Sequence, residues 1–261
     1  MRTSYRGDAQ ENTRQRKSLS LYLGLLPVLL FIVLLIGSHR FLSSVRVYEP
    51  ALLLPLLNTF LCLAAGVIAY LALRIYLISG SPTILWIGCG VLTLGLGALA
   101  AGWLIIPYGP NVNVTIFSVG VLLASICHIG AAVANLEENP GEADPSRRKQ
   151  KVWLAYLAAP VLIALLAVLT VTGLTPPFFI QGQGPTVIRQ NVAGWAIVLF
   201  VISSLFTMNR FRRKGAAFLY WYSLALALLA SPCWPFFCNR PWAAPWVGPA
   251  EALMSWPPSI F

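Results

Sequence analysis

The feature that most limits what this chain can fold into is a succession of long apolar stretches with no charge inside them. They run from Leu19 to Ser38, Ala51 to Leu73, Thr83 to Ile106, Val112 to Asn135, Val152 to Leu174 and Asn191 to Met208, and a seventh begins at Ala216. A helix needs about 20 mostly apolar residues to cross the hydrocarbon core of a bilayer. Composition agrees: 58% of the 261 residues are hydrophobic and 10% charged, against about a quarter charged in soluble domains. The expected fold is an all-α polytopic membrane bundle with six spans and an incomplete seventh. Its three parts are a basic cytoplasmic leader (1–18), the membrane domain (19–230) and a Trp- and Pro-rich tail (231–261).

The net charge of +10 could suggest nucleic acid, but the placement of the basic residues argues against it. With the N-terminus inside, fourteen of the 18 basic residues fall on inner segments: Arg2 to Lys17, Arg74, Arg147 to Lys151, and Arg210 to Lys214. The outer loops hold Arg40, Arg46 and Arg189, and the last, Arg240, lies in the tail. This asymmetry is the positive-inside pattern, and it predicts a cytoplasmic N-terminus in a cell inner membrane. The same residues offer contacts to anionic lipid, so the bilayer is the expected partner. The first apolar stretch follows the basic leader without a small-residue cleavage pattern and is expected to be an uncleaved anchor.

Two loops stand out. LEENPGEADPSRRKQK joins the fourth and fifth stretches on the inner side and is acidic, then basic. GLTPPFFIQGQGPTVIRQN joins the fifth and sixth on the outer side, with Phe178 and Phe179 beside paired prolines, and Gln181 and Gln183 around Gly182. Exposed Phe at a membrane surface needs apolar cover, so the loop is expected to fold back on the helix ends, with these four residues as candidate ligand contacts. In the third stretch Cys89, Thr93, Gly97 and Ala101 recur every four residues. In the fourth, Gly120, Ala124 and His128 do the same. Stripes of small side chains let helix backbones approach closely in lipid, and here they predict helix packing.

His128 is one of two histidines. An ionisable residue within a span is a functional candidate by default, able to bind a ligand or respond to protonation. The other reading is a neutral histidine bonded to a neighbouring helix. No second ligand at depth accompanies it, so no metal or cofactor is expected. The spans contain no Asp, Glu or Lys at mid-depth, and HExxH and GxSxG are absent. Catalysis is therefore not expected. Cys62, Cys89 and Cys127 are expected as small core residues, while Cys233 and Cys238 lack zinc-type spacing and no disulfide is assigned.

Three segments, PNVNVTIFSVGVLLASICHIGAAV, GLTPPFFIQGQGPTVIRQNVAGWAI and FLYWYSLALALLA, resemble the multi-pass N-terminal sensor region of bacterial histidine kinases with PAS domains. The resemblance covers roughly Leu19 to Ala230. It implies a non-catalytic input module preceding cytoplasmic PAS and kinase domains, able to form a homodimer or to pair with full-length relatives; it carries over no functional residues. The pattern departs at SPCWPFFCNRPWAAPW, which holds three of the nine Trp. Read one base out of frame, its Cys and Trp codons yield Leu, Met or Val and the stretch becomes an aliphatic helix. The tail is accordingly expected to be frameshifted near Ser231, separating the sensor from its output. The alternative class is a small standalone permease or membrane-bound binding protein, with the outer loop as lid and His128 in the route.

Overall fold

The computed structural model describes residues 53–136, 141–181 and 183–231, all within one compact unit, Val47–Phe261. The expected first span, the leader, His39, Gly182 and the tail with Cys233 and Cys238 lie outside these residues. The described chain is helical: α1 (Leu53–Ser79), α2 (Pro82–Leu136), α3 (Pro145–Val171), α4 (Val187–Lys214) and α5 (Ala217–Ala230). Between α3 and α4 sits a two-residue antiparallel pair, β1 (Phe179–Ile180) and β2 (Gly184–Pro185).

Glycine and proline set the boundaries. Gly80 ends α1 at φ 67°, its N–H donating to the Tyr76 carbonyl, and Pro82 opens α2 where a missing N–H costs nothing. Asp144 caps α3, its Oδ1 accepting from the Ser146 N–H at 2.9 Å. Thr186 caps α4, which closes at Gly215 with φ 68° and a bond from the Gly215 N–H to the Phe211 carbonyl.

Among the described residues four helices are long and apolar enough to cross a membrane, over Leu54–Ser79, Pro82–Ala134, Pro145–Val171 and Val187–Arg213, while α5 is apolar but short. Six separate spans are not found among these residues, which exclude the first expected span. The two expected at 83–106 and 112–135 belong to the single 55-residue element α2, interrupted at Gly109 with φ 80° and ψ −177° between Pro107 and Pro110. That break doubles α2 back on itself. Gly97 of the first arm meets Gly120 of the second, each so close that an added Cβ would lie 3.4 Å from the other's Cα. Further from the break, Gly90 meets Cys127 and Gly130 meets Trp86. Pairings that diverge symmetrically from one point define an antiparallel hairpin.

The predicted small-residue stripes lie at this contact: Cys89, Thr93, Ala101 and Ala124 are buried, as are Gly97 and Gly120. Their hydroxyls cause no polar strain, because Thr93 donates to the Cys89 carbonyl one turn back. The hairpin packs against α1, α3 and α4, and α4 packs against α5. The core between α2, α4 and α5 is Val121, Ala196, Phe200, Leu226 and Ala230. A second cluster, Ala101, Val112 and Ile116, lies toward the break in α2.

Candidate functional site: a buried histidine at a helix junction

His128 lies on the second arm of α2 and is 1% exposed. Its Nδ1 is 2.7 Å from the Tyr222 hydroxyl of α5 in a hydrogen bond that joins residues 94 apart in sequence. The ring tilts against Phe200 of α4, with centroids 5.8 Å apart. On its other side Gly90 of the first α2 arm comes so close that a Cβ there would be 3.0 Å from Nε2. Three helices and both arms of the hairpin therefore converge on one imidazole. The expectation that His128 faces other helices holds, and its packing explains the glycine at 90.

The polar balance at the ring is incomplete. Nε2 is buried without a hydrogen-bond partner, whereas buried polar atoms are normally paired. Tyr222 is itself fixed by a parallel stack on Phe218, with centroids 5.9 Å apart. A further bond, from Ser204 Oγ to the Ser223 carbonyl at 2.7 Å, ties α4 to the same turn of α5. Among the described residues no carboxylate lines the ring; the acidic ones are Glu142 and Asp144, next to the start of α3. Among the described residues no three His, Cys, Asp or Glu side chains gather as metal ligands, and Cys62, Cys89 and Cys127 are free thiols.

The other candidate residues lie elsewhere. Phe178 is buried, Phe179 is half-buried, and Gln181 and Gln183 are exposed. The Phe178 and Phe179 backbone N–H groups both donate to Asn111 Oδ1, at 2.9 and 3.0 Å. Thr186 Oγ1 donates to the Pro177 carbonyl at 2.9 Å and its N–H to the Phe178 carbonyl at 3.0 Å. The loop between α3 and α4 is thus folded onto the hairpin turn, as the paired Phe residues suggested. It does not join His128: Asn111 precedes it by seventeen residues of the same helical arm, about 26 Å at 1.5 Å per residue.

Sequence reasoning missed Tyr222, Asn111 and Arg148. Arg148 of α3 reaches the end of α1, where Nη1 donates to the Leu77 and Ile78 carbonyls at 3.2 and 2.7 Å, and Nε donates to the Glu142 carbonyl. The Glu142 N–H donates to the Gly80 carbonyl at 3.0 Å. Beside these contacts Lys151 pairs with Glu142 at 2.6 Å, and that hydrogen bond holds the Glu142 carboxyl below the usual carboxylate range. No protein-family model, curated protein or solved structure matches this chain.

Proposed function

We propose that this chain is a non-catalytic sensory input module of a histidine-kinase type signalling protein, embedded in a cell inner membrane with its N-terminus on the cytoplasmic side. Four observations support the bilayer. Large apolar side chains cover the outside of the long helices, including Phe60, Leu63, Ile78, Leu154 and Leu205, a surface no water-facing protein keeps. Exposed Trp86, Trp153 and Trp221 lie near helix ends on one side, and Trp103, Tyr108 and Trp195 near ends on the other, as in the aromatic belts of membrane proteins. Trp86 and Trp103 are seventeen residues apart on one arm, about 26 Å, close to the roughly 30 Å of hydrocarbon. Nine of the ten described basic residues lie at one end, Arg189 alone at the other.

The observation that carries the sensory reading is the His128 junction. A bond between α2 and α5, buried within the bundle and with no carboxylate around it among the described residues, suits a contact that is exchanged between two helix packings better than one that turns over a substrate. A stimulus favouring one packing would bias whatever follows α5 by its difference in affinity for the two states. The permease class would require the outer loop to open, and Asn111 and Thr186 hold it closed.

The test adds one returning apolar span after Ala230, which brings the chain back to the basic side, fuses a dimeric kinase output there, and measures autophosphorylation in membranes. His128→Gln and Tyr222→Phe should each change the basal rate several-fold with insertion intact. Rates equal to the parent fusion, together with substrate uptake into proteoliposomes that disappears in His128→Ala, would replace the sensor with the permease.

A further inference from the structure

The basic end of the bundle does more than mark topology, because seven of its nine described positive charges, all but Lys214 and the buried Arg210, fall into two sets. One set is used within the chain. Lys151 Nζ pairs with Glu142 at 2.6 Å, Arg147 Nε lies 3.7 Å from Asp144, and Arg148 is committed to three backbone carbonyls. Glu142 and Asp144 are the only acidic residues described, so both available counter-charges are taken. The second set is Arg74 near the end of α1, Lys149 in the first turns of α3, and Arg212 and Arg213 near the end of α4, all exposed. None of these four makes a hydrogen bond or ion pair among the described residues.

What lies beside the second set identifies its partner. Ile75 and Ile78 flank Arg74 on α1, with Ile78 80% exposed, and Trp153 is 68% exposed one turn beyond Lys149 on α3. An acidic soluble protein would meet the cations and leave this apolar girdle bare. A phospholipid brings a phosphate and hydrocarbon together at that spacing. Resting on the bilayer placement above, we propose that Arg74, Lys149, Arg212 and Arg213 form a rim that binds the headgroups of anionic phospholipid, and that Arg147 and Lys151 have no part in it.

Each cation near an anionic surface adds about 1 kcal/mol, or about fivefold in affinity. The full chain in a neutral detergent is titrated with phosphatidylglycerol or phosphatidylcholine and followed by melting temperature and by native mass spectrometry of bound lipid. Phosphatidylglycerol should bind at least tenfold more tightly than phosphatidylcholine and raise the melting temperature. The combined variant Arg74→Gln, Lys149→Gln, Arg212→Gln, Arg213→Gln should lose that preference. A second variant, Glu142→Gln with Lys151→Gln and Asp144→Asn with Arg147→Gln, leaves the net charge unchanged and should keep it. If the fourfold variant does not fold, Arg74→Gln and Arg212→Gln tested singly should each weaken phosphatidylglycerol several-fold.

Equal binding of the two lipids, loss of the preference in the charge-balanced variant, or the same stabilisation by inorganic phosphate at matched ionic strength would each overturn the rim. Brominated acyl chains separate this from the bilayer reading. Tryptophan quenching in phosphatidylcholine nanodiscs without any phosphatidylglycerol preference defeats the rim alone, and absence of quenching defeats the membrane placement itself.

Discussion

The two ends of the bundle face the same problem and solve it with opposite chemistry. Where α1 stops, backbone carbonyls are left over, and a guanidinium from α3 covers them: Arg148 spans the Leu77, Ile78 and Glu142 carbonyls. Where the loop between α3 and α4 meets the α2 hairpin, backbone N–H groups are left over, and a neutral carboxamide accepts them: Asn111 takes both Phe178 and Phe179. Helix C-termini carry partial negative charge and favour a cation. Loop amides need only an acceptor. A charge bias read as topology therefore also serves as a structural cap at one end, and the other end needs none.

The sharpest way to break the charged end is at its backbone. Gly80 has φ 67°, and a Cβ there would fall 2.5 Å from the Glu142 carbonyl oxygen. Gly80→Ala must strain the turn and push the 141–142 segment off α1, and it should cost about 2–3 kcal/mol in a reversible detergent unfolding series. An unchanged midpoint would mean that the two segments separate freely.

At the neutral end, Asn111→Ala leaves two amides without their acceptor and should cost about 2 kcal/mol. Asn111→Asp keeps an acceptor oxygen in place and should recover most of that loss. Equal losses in the two variants would show that the amides find other partners and that the loop is held by Phe178 packing alone. Arg148→Gln should follow at about 1–2 kcal/mol, because carbonyls at an exposed helix end can turn to water. At the buried junction, Tyr222→Phe should cost about 1 kcal/mol, and in a His128→Gln background it should cost almost nothing further.

How much of this was legible follows from the range of each signal. Helix limits at Gly80, Gly109 and Gly215 follow from backbone conformation, a local property, and the stretches at 83–106 and 112–135 were placed within a few residues of the two α2 arms. The break between them was legible too, because Pro107, Gly109 and Pro110 interrupt a helix; that the two arms pack Gly97 against Gly120 was not. The burial of Phe178 followed from apolar residues in a polar setting. Tyr222 gave no signal: its role exists only because a fold brings residue 222 to residue 128. Arg148 and Asn111 were hidden for a related reason, since their partners are backbone groups, which sequence does not distinguish.

The smallest effect is also the one that tests charge directly. The Lys151 hydrogen bond lowers the Glu142 carboxyl below its ordinary range, so the folded state holds the ionised form more firmly than the unfolded chain does. A depressed carboxylate contributes stability above the unfolded value of about 4.3 and loses it as pH falls through the lower folded value. The pair should therefore support the charged end fully at pH 7 and progressively less below about pH 4. Because the pair sits at the surface, the effect should also shrink with salt. Glu142→Gln should flatten the acid limb of the melting-temperature profile and leave Asn111→Ala, at the uncharged end, with the same limb as the parent. A parent profile already flat between pH 7 and 3 would mean that Arg148 and the Gly80 turn hold the charged end without help from the ion pair, and that the two ends differ in their caps but not in their response to protons.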